Sequence, residues 1–209
     1  MTLRKALLTL LIAFCTSLCL WAEPITFSGG STSIRKQGED LTVTLSGGAV
    51  VQADGVKLTA DEISISGENS RIVKCSGTVK ALREENKLTL LSPELTFDRK
   101  TQLLLVDSWV QIQLVSEEVA LSGARLQYNM ETGLMILQIQ ARILKVTDKG
   151  LLSCQADSIT YDSNNGTLRL EGRCSVSWGS DEYQAAVITI DLNTEELRME
   201  GRITGTVNG

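Results

Sequence analysis

The side chains best suited to chemistry in this sequence are carboxylates. Asp98, Asp162 and Asp191, with Asn129 in the matching place, recur roughly every 32 residues, and Glu84-Glu85, Glu117-Glu118 and Glu195-Glu196 stand in pairs. A row of acids along a groove could serve a glycosidase or lyase as general acid and base. Each of the four Asx positions directly precedes turn residues, most clearly Asn164-Asn165-Gly166, where an Asx side chain caps its own backbone. They are read as turn caps, and the glutamate pairs as solvated charge in turns. The chain has no histidine, which removes imidazole bases, Ser-His and Cys-His nucleophiles and imidazole zinc sites. It also lacks a phosphate-binding glycine loop with lysine. No enzyme activity, cofactor or metal is expected, and energy for any directional process must come from a partner.

The cysteines give no stronger signal. Cys15 and Cys19 fall in an apolar N-terminal run, leaving Cys75, Cys154 and Cys174. Three is not a disulfide framework; a Cys154–Cys174 bridge is one option, and burial as small apolar side chains is the preferred one. Residues 1–22 read as a secretory signal peptide: basic Arg4 and Lys5, an apolar stretch from Ala6 to Leu20, then small Ala22 before Glu23-Pro24. A retained anchor and a lipoprotein are the alternatives, although bulky Phe14 and Leu18 before Cys15 and Cys19 disfavour lipid attachment. The net charge is −5, and removal of the leader would take two basic groups with it. An acidic protein repels a phosphate backbone, so nucleic acid is not an expected partner.

The elements that would position these groups come from internal repetition. Segments 56–65, 87–97, 119–128, 151–161 and 181–190 align on Ile63, Leu95, Leu126, Ile159 and Ile188, in steps of roughly 32 residues. Three places before the anchor every unit has a small residue: Ala60, Ser92, Gly123, Ala156, Ala185. Two places after it every unit has a large one: Ile65, Phe97, Tyr128, Tyr161, Ile190. Apolar and polar residues alternate within each segment, the mark of a half-buried strand. A second alternating strand follows each turn, with Leu103 and Leu105, Leu134 and Ile136, Leu168 and Leu170, and Leu197 and Met199 as its inward residues. Gly48, Gly77 and Gly172 mark further bends. Each unit is expected to run strand, kink at the small residue, strand, turn, strand, because a sharply bent strand leaves no room for a bulky side chain at the corner. About five such units, stacked as residues 23–209, form one all-β domain of two facing layers with a continuous apolar interior.

The opening stretch, ITFSGGSTSIRKQGEDLTVTLSGGAVVQADGVKLTADEISI (25–65), resembles the LptA/OstA family of periplasmic lipopolysaccharide-transport proteins. Its strand, short polar turn, G-x-V and A-D-x-I recur in that order, and the pattern returns weakly as far as residue 191. The resemblance implies a twisted, slightly open β-jellyroll in the periplasm. It also implies acyl chains of lipopolysaccharide or a related glycolipid held between the sheets, end-to-end stacking, and transport components at the inner and outer membranes as partners. This chain departs from better-known members in its length and in the regularity of its five units.

Physical chemistry leads to a similar expectation. The columns at Leu58, Ile63, Ile65, Leu90, Leu95, Phe97, Leu121, Leu126, Tyr128, Ile159 and Tyr161 would line an apolar trough for hydrocarbon. Ile25 and Phe27 at one end, and Ile203 and Val207 at the other, belong to alternating terminal strands with neither helix nor proline cap, open to pairing with a further copy. The expected function is periplasmic lipid binding and transport towards the outer membrane. The alternatives are a membrane-anchored LptC-like relay, a ligand-free stacked scaffold, or a carboxylate enzyme.

Overall fold

The computed structural model describes residues 24–38 and 40–208; the leader predicted over residues 1–22 lies outside them. Among the described residues the apolar/polar alternation produces sixteen strands: β1 Thr26–Ser28, β2 Ser31–Gln37, β3 Asp40–Ala53, β4 Val56–Ser66, β5 Ile72–Arg83, β6 Leu88–Asp98, β7 Leu103–Val106, β8 Val110–Leu114, β9 Val119–Gly123, β10 Arg125–Asn129, β11 Leu134–Thr147, β12 Gly150–Asp162, β13 Thr167–Trp178, β14 Asp181–Asp191, β15 Glu196–Glu200 and β16 Thr204–Thr206. All pair antiparallel in one hydrogen-bonded sheet, mostly between successive strands, while β1 pairs β3, β6 pairs β8, β7 pairs β10, β9 pairs β11 and β16 pairs β14.

That sheet is creased along a single line. The register of β3 with β4 shifts between Ser46 and Ala49, that of β5 with β6 between Ser76 and Val79, that of β11 with β12 between Gln138 and Ala141, and that of β13 with β14 between Glu171 and Cys174. Two residues on one strand face one on its neighbour at each shift: Gly47-Gly48 against Asp61, Gly77-Thr78 against Pro93, Ile139-Gln140 against Asp157, Gly172-Arg173 against Ala186. These are β-bulges stacked in register, each bending its strand. At the same line the path of the chain breaks between β7 and β8 and between β9 and β10.

The small-residue column lies on the interior flank of this crease. Ala60, Ala156 and Ala185 are buried, and a Cβ on Gly123 would sit 2.9 Å from Leu137 Cδ2. The bulges themselves are shaped by Gly77 and Gly172, at φ +95° and +77°. Asp61 and Asp157 fill the space beside these glycines. Asp61 Oδ2 accepts the Thr78 N–H at 3.0 Å, and Asp157 Oδ1 accepts from Arg173 Nε at 3.0 Å. The A-D pairs of the sequence are therefore a corner device, with a small residue inside and a carboxylate tying down the bulge outside.

Folding about the crease gives two facing layers. The first contains β1, β8, β9, β16 and the crease-to-turn halves 49–53, 56–60, 79–83, 88–92, 141–147, 150–156, 174–178 and 181–185; the second contains β2, β7, β10, β15 and the complementary halves. Between them lies one contiguous core of aliphatic, aromatic and thiol side chains running from β3 to β14. The fold class is all-β, in a jellyroll-like arrangement, as expected.

The bends expected at Gly48, Gly77 and Gly172 fall inside long returning strands, so every long strand contributes to both layers. One detail departs from expectation. In β7 and β11 the buried residues are Leu104 and Val106, and Met135 and Leu137, rather than Leu103 and Leu105, and Leu134 and Ile136. Those strands begin Leu-Leu-Leu-Val and Leu-Met-Ile-Leu, apolar on both parities, so alternation carries no information there.

Candidate lipid site and seam

All eleven predicted trough residues point into the core. Leu58, Ile63, Leu90, Phe97, Leu126, Tyr128 and Ile159 are 0–1% exposed, and Ile65, Leu95, Leu121 and Tyr161 are 2–4% exposed. Their inward orientation follows the alternation, and in this conformation they pack on one another. Cys75, Cys154 and Cys174 are buried free thiols in the same core; burial pushes Cys75 and Cys154 up to about 12, so they are inert while covered. The one buried charged side chain among the described residues is Asp181, on the rim. Lys149 Nζ, 2.8 Å away, holds its carboxyl below the ordinary range.

The core thins towards the two terminal edges. Ile25 and Val43 at the first end, and Tyr183, Leu192, Leu197 and Met199 at the last, pack on it while remaining partly exposed. Beyond them Phe27, Ile203 and Val207 are 48%, 54% and 71% exposed. β1 and β2 pair only with β3, and β15 and β16 only with β14, so each end presents strands with one unpaired side.

The Asx column caps turns, as expected. Asp98 Oδ1 accepts the N–H of Lys100 at 3.0 Å, Asn129 Oδ1 that of Glu131 at 3.0 Å, Asp162 Oδ1 that of Asn165 at 3.0 Å and Asp191 Oδ1 that of Asn193 at 2.9 Å. These turns stack into one lip of the folded sheet. Main-chain bonds join Arg99 to Arg71, Met130 to Gln102, Ser163 to Gly133 and Leu192 to Gly166, and Asn164 and Asn193 each donate to the turn before at 2.8 Å. The turns at Asp54-Gly55, Glu84–Lys87, Val115–Glu118, Asp148-Lys149 and Gly179-Ser180 form the opposite lip, also linked in series through Val115 to Lys87, Val146 to Glu118 and Gly179 to Leu151.

The two lips meet along a seam. Arg99 donates through Nε and Nη2 to the two Asp54 carboxylate oxygens at 2.7 and 3.1 Å. Arg83 Nη1 donates to the Met130 carbonyl at 3.1 Å and to Tyr128 Oη at 3.4 Å, with Asn86 Nδ2 also donating to Tyr128 Oη. Tyr161 Oη donates to Glu117 Oε2. Lys149, drawn up in pKa chiefly by Asp181, also feels the charge of Glu195 across the seam. The Arg99–Asp54 pair is 10% and 18% exposed, enough burial to strengthen it over a surface ion pair. A pocket of about 840 Å³ opens where the seam begins, lined by Asp54, Glu68, Asn69, Arg71, Arg99 and Lys100 among others.

Glu117 corrects the reading of the glutamate pairs as solvated charge: it is half-buried and bonded to a core tyrosine. Asp54, Arg83, Asn86 and Arg99 carried no motif. Their partners lie 42 to 47 residues away, a separation that is not a multiple of the repeat, so periodicity alone could not pair them.

No protein-family profile matches the sequence, and no curated protein matches it. Among solved structures, the chain is similar to the crystal structure of LptH, the LptA-homologous periplasmic component of the lipopolysaccharide transport device of Pseudomonas aeruginosa. The match has 13% identity over 90% of this chain and 96% of that one, with a TM-score of 0.29. At that degree of superposition the all-β assignment rests on the strand register of this chain itself.

Proposed function

We propose that this protein is a periplasmic carrier of acylated lipid, with lipopolysaccharide or a related glycolipid as cargo, that holds acyl chains between its two β layers. The supporting observation is the interior: an apolar core, free of buried charge except at its rim, that runs across the whole sheet and is half-open at both terminal edges. Twelve strands in the first layer at about 4.8 Å spacing give a core roughly 50 Å long. An acyl chain of about 14 carbons costs roughly 11 kcal/mol to expose to water, and an apolar interior of this length removes most of that cost. Leu58, Ile63, Ile65, Leu90, Leu95, Phe97, Leu121, Leu126, Tyr128, Ile159 and Tyr161 would form the walls around the chain.

The unpaired sides of β1 and β2, and of β15 and β16, suit head-to-tail addition of further copies. Such stacking would join the half-open cores into one path, with Ile25, Phe27, Ile203 and Val207 at the joints. Components at the inner and outer membranes would load and receive the lipid, and the first 22 residues would direct export.

A photoreactive side chain in place of Phe97 or Tyr128 should label radioactive glycolipid, whereas one at outward-facing Thr96 or Gln127 should not. Labelling confined to the outward positions would refute internal binding. A ligand-free stacked scaffold is the second reading, favoured by the complete packing of the core side chains in this conformation. It requires that organic extraction of the purified protein yield no lipid.

A further inference from the structure

We infer that the seam opposite the crease is a latched lateral gate, held shut by three polar contacts between the lips: Asp54 with Arg99, Arg83 and Asn86 with Tyr128 and Met130, and Glu117 with Tyr161. The inference rests on the carrier reading for its purpose, but its physical content does not.

The two long margins of the folded sheet differ in kind. At the crease β3, β4, β5, β6, β11, β12, β13 and β14 run unbroken from one layer to the other, so the layers cannot separate there. At the seam the main-chain bonds given above run within each lip, from turn to turn, and the side-chain contacts named above cross it. A lip can therefore swing as a unit about the crease, breaking few crossing bonds and leaving its own ladder intact.

The crossings are evenly placed. Each joins a turn of one lip to the second, not the first, following turn of the other, with separations of 45, 45 and 44 residues. The same offset recurs at each step because the strands of the two layers slant oppositely. Two of the crossings end on Tyr128 and Tyr161, whose rings are buried in the core at positions already assigned to the trough. Their hydroxyls reach the seam while their rings face the space an acyl chain would fill. Displacement of either ring by hydrocarbon pulls its hydroxyl from its partner, so occupation of the core and release of the latch are one event. Asn86 Oδ1, buried at the middle crossing, has no partner in the closed state, so this crossing is incompletely satisfied and is released at low cost. The pocket beside Asp54 and Arg99 opens at the first crossing.

The native thiols report on the gate. Cys75 and Cys154 lie in opposite layers, 3% and 0% exposed; they become reactive only when the interior opens, because solvation then restores an ordinary thiol pKa. Asp54→Asn, Arg83→Gln and Tyr161→Phe, combined in one chain, should raise the rate at which a small neutral maleimide labels Cys75 and Cys154 by about tenfold or more, with little change in the urea midpoint of unfolding. A second variant, Asp54→Cys with Arg99→Cys, should after oxidation slow that labelling below the native rate and recover on reduction.

Unchanged labelling in the triple variant, or faster labelling that merely tracks a lowered unfolding midpoint, would overturn the gate. Uptake of a fluorescent fatty acid from phosphatidylglycerol vesicles, measured on the same proteins, tests the purpose separately. Uptake that rises with thiol labelling and is blocked by the oxidised lip disulfide supports both readings. Thiol labelling that rises with no uptake keeps the gate and removes the carrier.

Discussion

The crease and the seam are the two long margins of one folded sheet, and they are built from opposite materials. At the crease, β-bulges recur along the sheet, with a small side chain inside and Asp61 or Asp157 outside, closing on Gly77 and Gly172, where a Cβ would collide with the carboxylate. At the seam, long polar side chains of unlike type meet across a gap: an ion pair, an arginine on a carbonyl, a tyrosine on a glutamate. The backbone fixes a permanent bend, whereas side chains give a contact that can be broken and remade. The first suits a margin that stays closed, and the second suits a margin that can open.

The contrast breaks most directly at Gly77. A Cβ there would sit 2.2 Å from Asp61 Oδ2 on a backbone at φ +95°, so Gly77→Val should destabilise the fold by about 3 kcal/mol, read as a lower urea midpoint. At the seam the expected loss is smaller. Asp54→Ala leaves Arg99 partly buried beside the carbonyls of Asn69 and Ser70 and should cost about 1–2 kcal/mol. It should also speed thiol labelling, which Gly77→Val should do only through global unfolding. If the two variants cannot be distinguished by this pair of measurements, the contrast fails.

Acid should act on both margins. Arg71 holds Asp98 well below the ordinary carboxylate range, while Arg173 lowers Asp157, Asn165 lowers Asp162, and backbone N–H groups from Thr194 and Asn193 lower Asp191. Groups whose pKa is depressed on folding stabilise the protein fully above their unfolded value near 4 and lose that contribution as the pH falls through the folded value. The urea midpoint should therefore be flat from pH 7 to about 5 and fall progressively below 4. A midpoint that rises on acidification would contradict these pairings. The smallest effect is expected at Ile139, a β-branched residue held at φ +62° in a crease bulge and 55% exposed. Ile139→Gly should stabilise by about 1 kcal/mol, detectable as a rise of a few degrees in Tm.

Much of the crease was legible in the sequence. Ala60, Gly123, Ala156 and Ala185 form a column because one steric demand acts at every strand, and a demand repeated at fixed spacing appears as a repeat. The core-facing residues were legible for the same reason: a half-buried strand alternates, and Leu58, Phe97 and Tyr128 sit on its inward parity. Where both parities were apolar, in β7 and β11, alternation fell silent and the inward face was assigned wrongly.

By itself the sequence determined the all-β class, the unit length, the corner residues and the Asx caps, because each follows from contacts between residues near in the chain or in the same place of adjacent units. The seam belongs to the tertiary structure alone. Which turn faces which depends on how far the two layers slant past one another, and that angle is accumulated twist over the whole sheet. Glu117 became a partner of Tyr161, rather than a solvated charge, only once that slant had brought the two lips into register.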